Sequence, residues 1–143
     1  MTAKSYKTNV VINRPQTHVW RVLSALEEWP QWTPTMTSVR CLSGRGVGAV
    51  YEVRQPGLPK SQLTVTEWID GKSFTWAASE KPSSTIATHT LESVDESHTE
   101  VTLTISMTGP MFALVWVVWG RKIRRFVDIE AASLKSRVES FAA

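Results

Sequence analysis

The sequence predicts an α+β fold, a curved antiparallel sheet wrapped around one long C-terminal helix, with one or two short helices after the first strand. Three observations carry this expectation. A short apolar strand ending at Ile12 runs into a Pro15-started amphipathic segment that closes on Trp29-Pro30-Gln31-Trp32. A middle stretch alternates strand-like runs with tight-turn signals. Gly109-Pro110 then opens a second, much longer amphipathic segment.

Tyr6–Ile12 reads as the first strand, with Val10 and Ile12 on one face and Val11 on the other. Pro15 suits the first helical position, where its missing N–H costs nothing, and Asn13 or Arg14 would cap it. Val19, Val22, Leu23 and Leu26 recur at helical spacing and form a buried stripe. Pro30 and Pro34 stop that helix in a corner pinned by Trp29 and Trp32. Five or six strands follow, over Met36–Leu42, Gly48–Arg54, Gln62–Ile69, Ser73–Ala78, Thr85–Val94 and Glu100–Met107. Their separators include a Gly-rich turn at Ser43–Gly46, a Pro-Gly turn at Gln55–Pro59 and the hairpin signal Asp70-Gly71. Strand after strand through tight turns means an antiparallel meander.

The last helix is expected to run from Pro110 to about Ser140. Phe112, Trp116, Ile123, Val127, Leu134, Val138 and Phe141 share one face of it, and Trp119 and Glu130 sit at the edge. Leu114, Val117 and Val118 make its first third apolar nearly all round. A twisted sheet cannot follow a straight helix closely along its whole length, so a cavity between the two is expected.

Composition narrows the function classes. A chain of 143 residues reads as one domain, 1–143, long enough to bury a core without disulfides or metals. Its single cysteine, Cys41, excludes an internal disulfide and fits a reducing compartment. No segment reads as a signal peptide, and the apolar run Met111–Trp119 is far short of the roughly 20 residues that span a bilayer. A cytoplasmic location is the expectation. The net charge of +3 comes with only one basic cluster, Arg121, Lys122, Arg124 and Arg125. Nucleic-acid binders carry a broader basic stripe, so that class is set aside. Seven tryptophans imply a bulky aromatic core or an aromatic-lined cavity.

Metal and cofactor chemistry find no foothold. His18, His89 and His98 have no His or Cys neighbour at ligand spacing. There is no Gly-x-Ser-x-Gly, no phosphate loop and no dinucleotide fingerprint, so no cofactor is expected. Acid–base chemistry is different, because an ionisable group inside an apolar cavity has its pKa moved toward neutrality. Tyr51, Glu52, Arg54, Glu67, His89 and Glu130 are available for it. His89 is the strongest catalytic candidate, mid-strand in apolar surroundings, with Glu67 and Glu130 behind it. The ordinary readings are a hydrogen-bonded strand histidine, a solvated Glu67 and a helix-surface Glu130 near Arg137. Trp20, Trp29 and Trp32 are assigned to the structural corner, and Trp68, Trp76, Trp116 and Trp119 to cavity walls. The expected ligand-binding set is Tyr51, Trp68, Trp76, His89, Phe112, Trp116, Trp119, Ile123 and Val127.

Several of these residues also form a recognisable pattern. Ile12, Pro15, Val19-Trp20, Leu23 and Trp32 resemble the opening of the superfamily that joins START lipid-transfer domains, the birch-pollen allergen group and bacterial polyketide cyclases (SRPBCC). Val65-Thr66-Glu67-Trp68 with Trp76, Thr88-His89-Thr90-Leu91, and Thr99–Leu103 before Gly109-Pro110 are similar to its bacterial polyketide cyclase/dehydrase and lipid-transport branch. So is the tail Arg124-Arg125-Phe126, Glu130, Leu134-Lys135. The resemblance implies a helix-grip fold and a hydrophobic cavity for a lipid, polyketide or similar molecule. It implies no shared catalytic motif, so function has to be argued from the site.

Three readings of function follow. The first is binding, with or without transport, of a small hydrophobic ligand between sheet and helix. The second is a cyclase or dehydratase using His89 or a cavity carboxylate as acid/base. The third takes Met111–Arg125, an apolar body with a cationic flank, as a membrane-surface or oligomerisation module. A homodimer patch or cover by neighbouring loops is the favoured account of that apolar segment over membrane contact.

Overall fold

The computed structural model describes residues 3–80 and 83–141. Strand β1 (Ala3–Ile12) leads into helix α1 (Gln16–Leu23) and a short 3₁₀ helix (Leu26–Gln31). Strands β2 (Ser38–Ser43), β3 (Val50–Arg54), β4 (Ser61–Ile69), β5 (Ser73–Glu80), β6 (Ser83–Asp95) and β7 (His98–Thr108) follow, and helix α2 (Phe112–Glu139) ends the chain. All are antiparallel in one seven-stranded sheet, in the order β1-β7-β6-β5-β4-β3-β2. The meander from β2 to β7 follows sequence order, and β1 joins it by pairing with β7.

The first helix departs from its expected start. Pro15 is not the first helical residue but the N-cap, extended at φ −60° and ψ 154°, and no side chain caps the helix. Neither Asn13 nor Arg14 takes that role. Arg14 instead donates to the carbonyls of Asn13, Glu139 and Phe141, tying the β1 exit to the end of α2. Pro30 does not lie in a corner after the helix but inside the 3₁₀ helix. Three residues per turn place Leu26 and Trp29 on one side of it, and both are buried.

The core lies between the concave face of the sheet and the two α-helices. Ile12, Val19, Leu23, Trp29, Phe74, Val101 and Leu134 are fully excluded from solvent. On α2, Ile123, Ala131, Leu134 and Val138 are buried as their shared face requires. Phe141, expected on the same face, is exposed past the helix end, with the Arg137 guanidinium 5.1 Å from its ring centroid.

A strand edge left open at β1 would invite pairing with another chain. Helix α2 covers its end. Lys135 Nζ donates to the Val11 carbonyl at 2.7 Å, and the Glu139 carboxylate accepts the Asn13 N–H at 2.8 Å. Lys135 also pairs with Glu139 at 2.7 Å. The Lys135 ammonium and the Asn13 N–H hold the Glu139 carboxyl below its ordinary range. A depressed carboxylate stabilises the fold fully above its unfolded pKa of about 4.5 and loses that contribution as pH falls below it. Glu139→Gln is therefore expected to reduce stability at pH 7 by less than about 1 kcal/mol, because the pair is partly exposed, and so to lower the melting temperature slightly. Melts of both proteins should converge between pH 4.5 and 3; a gap that persists unchanged at pH 3 would contradict this role.

Candidate functional site

The site grows from three rows of residues that run across the inner face of the sheet. Register aligns Ala78, Thr85 and Met107, then Trp76, Ala87 and Ile105, then Phe74, His89 and Leu103. The first two rows carry Ala78, Thr85 and Ala87, whose small side chains leave a hollow. The last carries a large aromatic and His89, which close it. Opposite, α2 presents Val115, Trp119, Ile123 and Val127 at four-residue steps, with Glu130 one turn beyond. A cavity of about 320 Å³ lies between these layers, with Trp29 and Met36 completing its wall. That volume is in the range of small-molecule sites.

The β3–β4 turn reaches over the cavity. Gln55, Leu58, Pro59 and Lys60 line its rim, and Gly57 at the tip lies against Lys122 of α2. Gly57 adopts φ +71°, a left-handed backbone conformation that favours glycine, with the movable end of the Lys122 side chain beside it. Glu52 at the same end meets Arg40 at 3.6 Å, Arg54 at 3.6 Å and Lys60 at 3.8 Å. Of these four residues only Lys60 lines the cavity itself.

One buried polar pair faces the otherwise mainly apolar space. His89, only 4% exposed, stacks on Phe74 with centroids 4.2 Å apart and planes within 10°. Trp29 and Trp76 meet its ring edge-on at 5.4 and 6.1 Å. Its Nδ1 lies 3.3 Å from the Phe74 carbonyl and its Nε2 lies 3.5 Å from Glu130 Oε1. A carbonyl can only accept, so Nδ1 carries a hydrogen. The 3.5 Å separation of His89 and Glu130 is longer than the roughly 2.7–2.9 Å of a tight charge-assisted bond, which leaves space for a ligand's polar atom to meet both groups. Such a couple can donate to, accept from or exchange a proton with a ligand oxygen.

Of the residues singled out from the sequence, Trp76, His89, Trp119, Ile123, Val127 and Glu130 lie together on this cavity. Four others of the expected binding set do not, and nor does Glu67. Tyr51 is half-buried on β3 and meets Trp76 edge-on at 5.9 Å. Its hydroxyl pKa is raised, first by burial and then by neighbouring Cys41. Trp68 packs against Trp20 at 5.3 Å and Phe74 at 5.6 Å, joining α1 to the sheet. Phe112 and Trp116 are half-buried at the start of α2, before and beside the stripe that begins at Val115. Arg124 sits over the Trp116 ring at 5.3 Å. Glu67 is exposed, because a bulge between Val65 and Glu67 pairs Glu67 with Thr75 on the outer face.

Sequence reasoning assigned Trp29 to a structural corner, and it does pack there on Trp32 at 5.4 Å. It also forms cavity wall. The signal was the Leu26–Trp29 spacing of three with Glu27 and Glu28 between, a 3₁₀ pattern facing inward. The small residues Ala78 and Ala87 were equally invisible, since a cavity is made by what a side chain lacks. Among the described residues no cluster of His, Cys, Asp or Glu could hold a metal ion.

A curved antiparallel sheet closed over a long C-terminal helix, with a cavity between them, defines the helix-grip class. The sequence profile described as polyketide cyclase / dehydrase and lipid transport matches residues 3–139. The chain belongs to that family. No curated protein matches its sequence. Several solved structures share its fold at low identity. Ara h 8.0201 superposes with a TM-score of 0.76 at 13% identity, covering 98% of this chain and 100% of that one. The Zhui aromatase/cyclase from Streptomyces sp. R1128 gives 0.75 at 14% identity, with 96% and 94% covered. TTHA0849 from Thermus thermophilus gives 0.77 at 18% identity, with 98% and 100% covered. At such identities these likenesses speak to the fold and not to the chemistry.

Proposed function

We propose that this protein binds one small, mainly apolar molecule, of the lipid or polyketide kind, between sheet and α2. The observation that carries this reading is the cavity itself, apolar along most of its wall, with the His89–Glu130 pair as a buried polar anchor. A ligand that is hydrocarbon or aromatic over most of its length, with one carbonyl or hydroxyl at its inner end, satisfies both features. The Lys60 end of the rim adds a cation for a polar or acidic outer end. Both halves of the family's description, polyketide processing and lipid transport, concern molecules of this type.

The test is to fill the hollow. Ala87→Trp places an indole between Trp76 and Ile105, where the register leaves space. Titration with 1-anilinonaphthalene-8-sulfonate should show saturable binding to the natural protein and at least about tenfold weaker binding to the variant, the loss of about 1.4 kcal/mol of burial. Ala78→Leu serves as a second filler should Ala87→Trp melt early. Undiminished binding by both folded variants would refute the cavity as the site.

One observation favours a second reading, a proton-transfer enzyme of the cyclase or dehydratase kind. His89 and Glu130 lie 3.5 Å apart beside a hydrophobic space, an imidazole and a carboxylate of the kind general acid–base chemistry uses. Under this reading His89→Phe keeps binding the fluorescent probe but abolishes conversion of an enolisable polyketone. Under the binding reading no conversion is seen with either protein.

A further inference from the structure

The start of α2 has two faces with opposite needs. Val115 and Trp119 turn inward to the cavity, while Leu114, Val117 and Val118 turn outward at 56%, 82% and 58% exposure. Val117 is the most exposed large apolar side chain among the described residues. Among those residues no loop covers the patch. The helix here is also poorly supported from within. It lacks a side-chain cap and an acidic residue in its first turn, and its exposed face carries β-branched valines.

Charge decides what the patch fits. Arg121 and Arg125 follow Val117 at four-residue steps and continue the same outward face. Both are exposed, and among the described residues no carboxylate lies within salt-bridge distance of either. Residues 112–127 contain no Asp or Glu at all. A two-fold pairing of this patch with a second copy would set these arginines against an apolar stripe that has no carboxylate in residues 112–127 to meet them, which costs free energy. An apolar stripe followed by unpaired cations instead complements a surface that is apolar beneath and negatively charged above.

We propose that the outer face of α2 from Leu114 to Arg125 docks on an anionic lipid bilayer, its valines entering the interface and Arg121 and Arg125 meeting the headgroups. The helix lies along the surface and does not span it; among the described residues no helix is long and apolar enough to cross a membrane. Docking places the cavity wall formed by Val115 and Trp119 directly behind the lipid-facing stripe. It does not depend on the cavity carrying a ligand, so it stands or falls separately from the binding proposal.

The experiment is co-sedimentation of the full chain with vesicles of pure phosphatidylcholine and of phosphatidylcholine with phosphatidylglycerol. The chain should sediment with the mixed vesicles, much less with the neutral ones, and less at high salt. Arg121→Gln/Arg125→Gln should weaken partitioning about thirtyfold, at about one kcal/mol per cation, and Val117→Asp at least about tenfold. All these side chains are exposed, and circular dichroism checks that the variants fold. No sedimentation with the anionic vesicles overturns the proposal, as does equal partitioning of the variants. A dimer that Val117→Asp dissociates would assign the patch to a second copy and overturn it too.

Discussion

Replacing Trp29 by alanine is expected to destabilise the fold by about 3–5 kcal/mol, the usual cost of emptying a large aromatic site in a core. Trp29 is fully buried, and its ring meets Trp32, Phe74, Trp76 and His89 at centroid distances of 5.4 to 6.1 Å. Its indole N–H donates to the Leu23 carbonyl at 2.9 Å, so truncation also leaves that acceptor unpaired. For a chain of this size the melting temperature should fall by about 10–15 °C. Trp116→Ala, on the half-exposed flank of α2, should cost about a quarter as much, since less area leaves water there. Thermal melts of the two variants measure the contrast directly. Equal losses would mean that the aromatic cluster around Trp29 does not organise the cavity's inner end.

The second large effect concerns the buried pair. His89→Phe retains a ring stacked on Phe74 but leaves Glu130 facing an aromatic wall with no polar partner. Breaking a buried pair from one side costs about 3–5 kcal/mol, and the low end applies because the Glu130 side chain keeps 12% exposure. Adding Glu130→Leu removes the stranded carboxylate, so the double variant should recover most of the loss. Denaturant titration of the two single variants and the double completes the cycle. A double variant at the sum of the two single losses would show that His89 and Glu130 act independently.

What the sequence disclosed and what it hid have physical causes. The meander was legible because turn chemistry such as Asp70-Gly71 is local and strands alternate at a fixed period. The packed end of α2 was legible for the same reason, through Ile123, Leu134 and Val138. The opening of the same helix misled the wheel, because periodicity gives relative direction but not where the sheet ends. Phe112 and Trp116 share angles with buried residues, yet Val115 is the first to reach the cavity. The solvated reading of Glu67 agrees with a bulge that periodicity alone would not place. Contact between His89 and Glu130, 41 positions apart in the chain, depends on tertiary packing and left no local trace.

The central claim is that the space between sheet and α2 holds an apolar molecule. Native mass spectrometry of the protein purified from its own host tests it most directly, with Ala87→Trp produced alongside. One small organic molecule per chain, extractable into solvent and absent from the variant, is the predicted result. Both proteins emerging at the bare chain mass, with no affinity for added apolar probes, would contradict it.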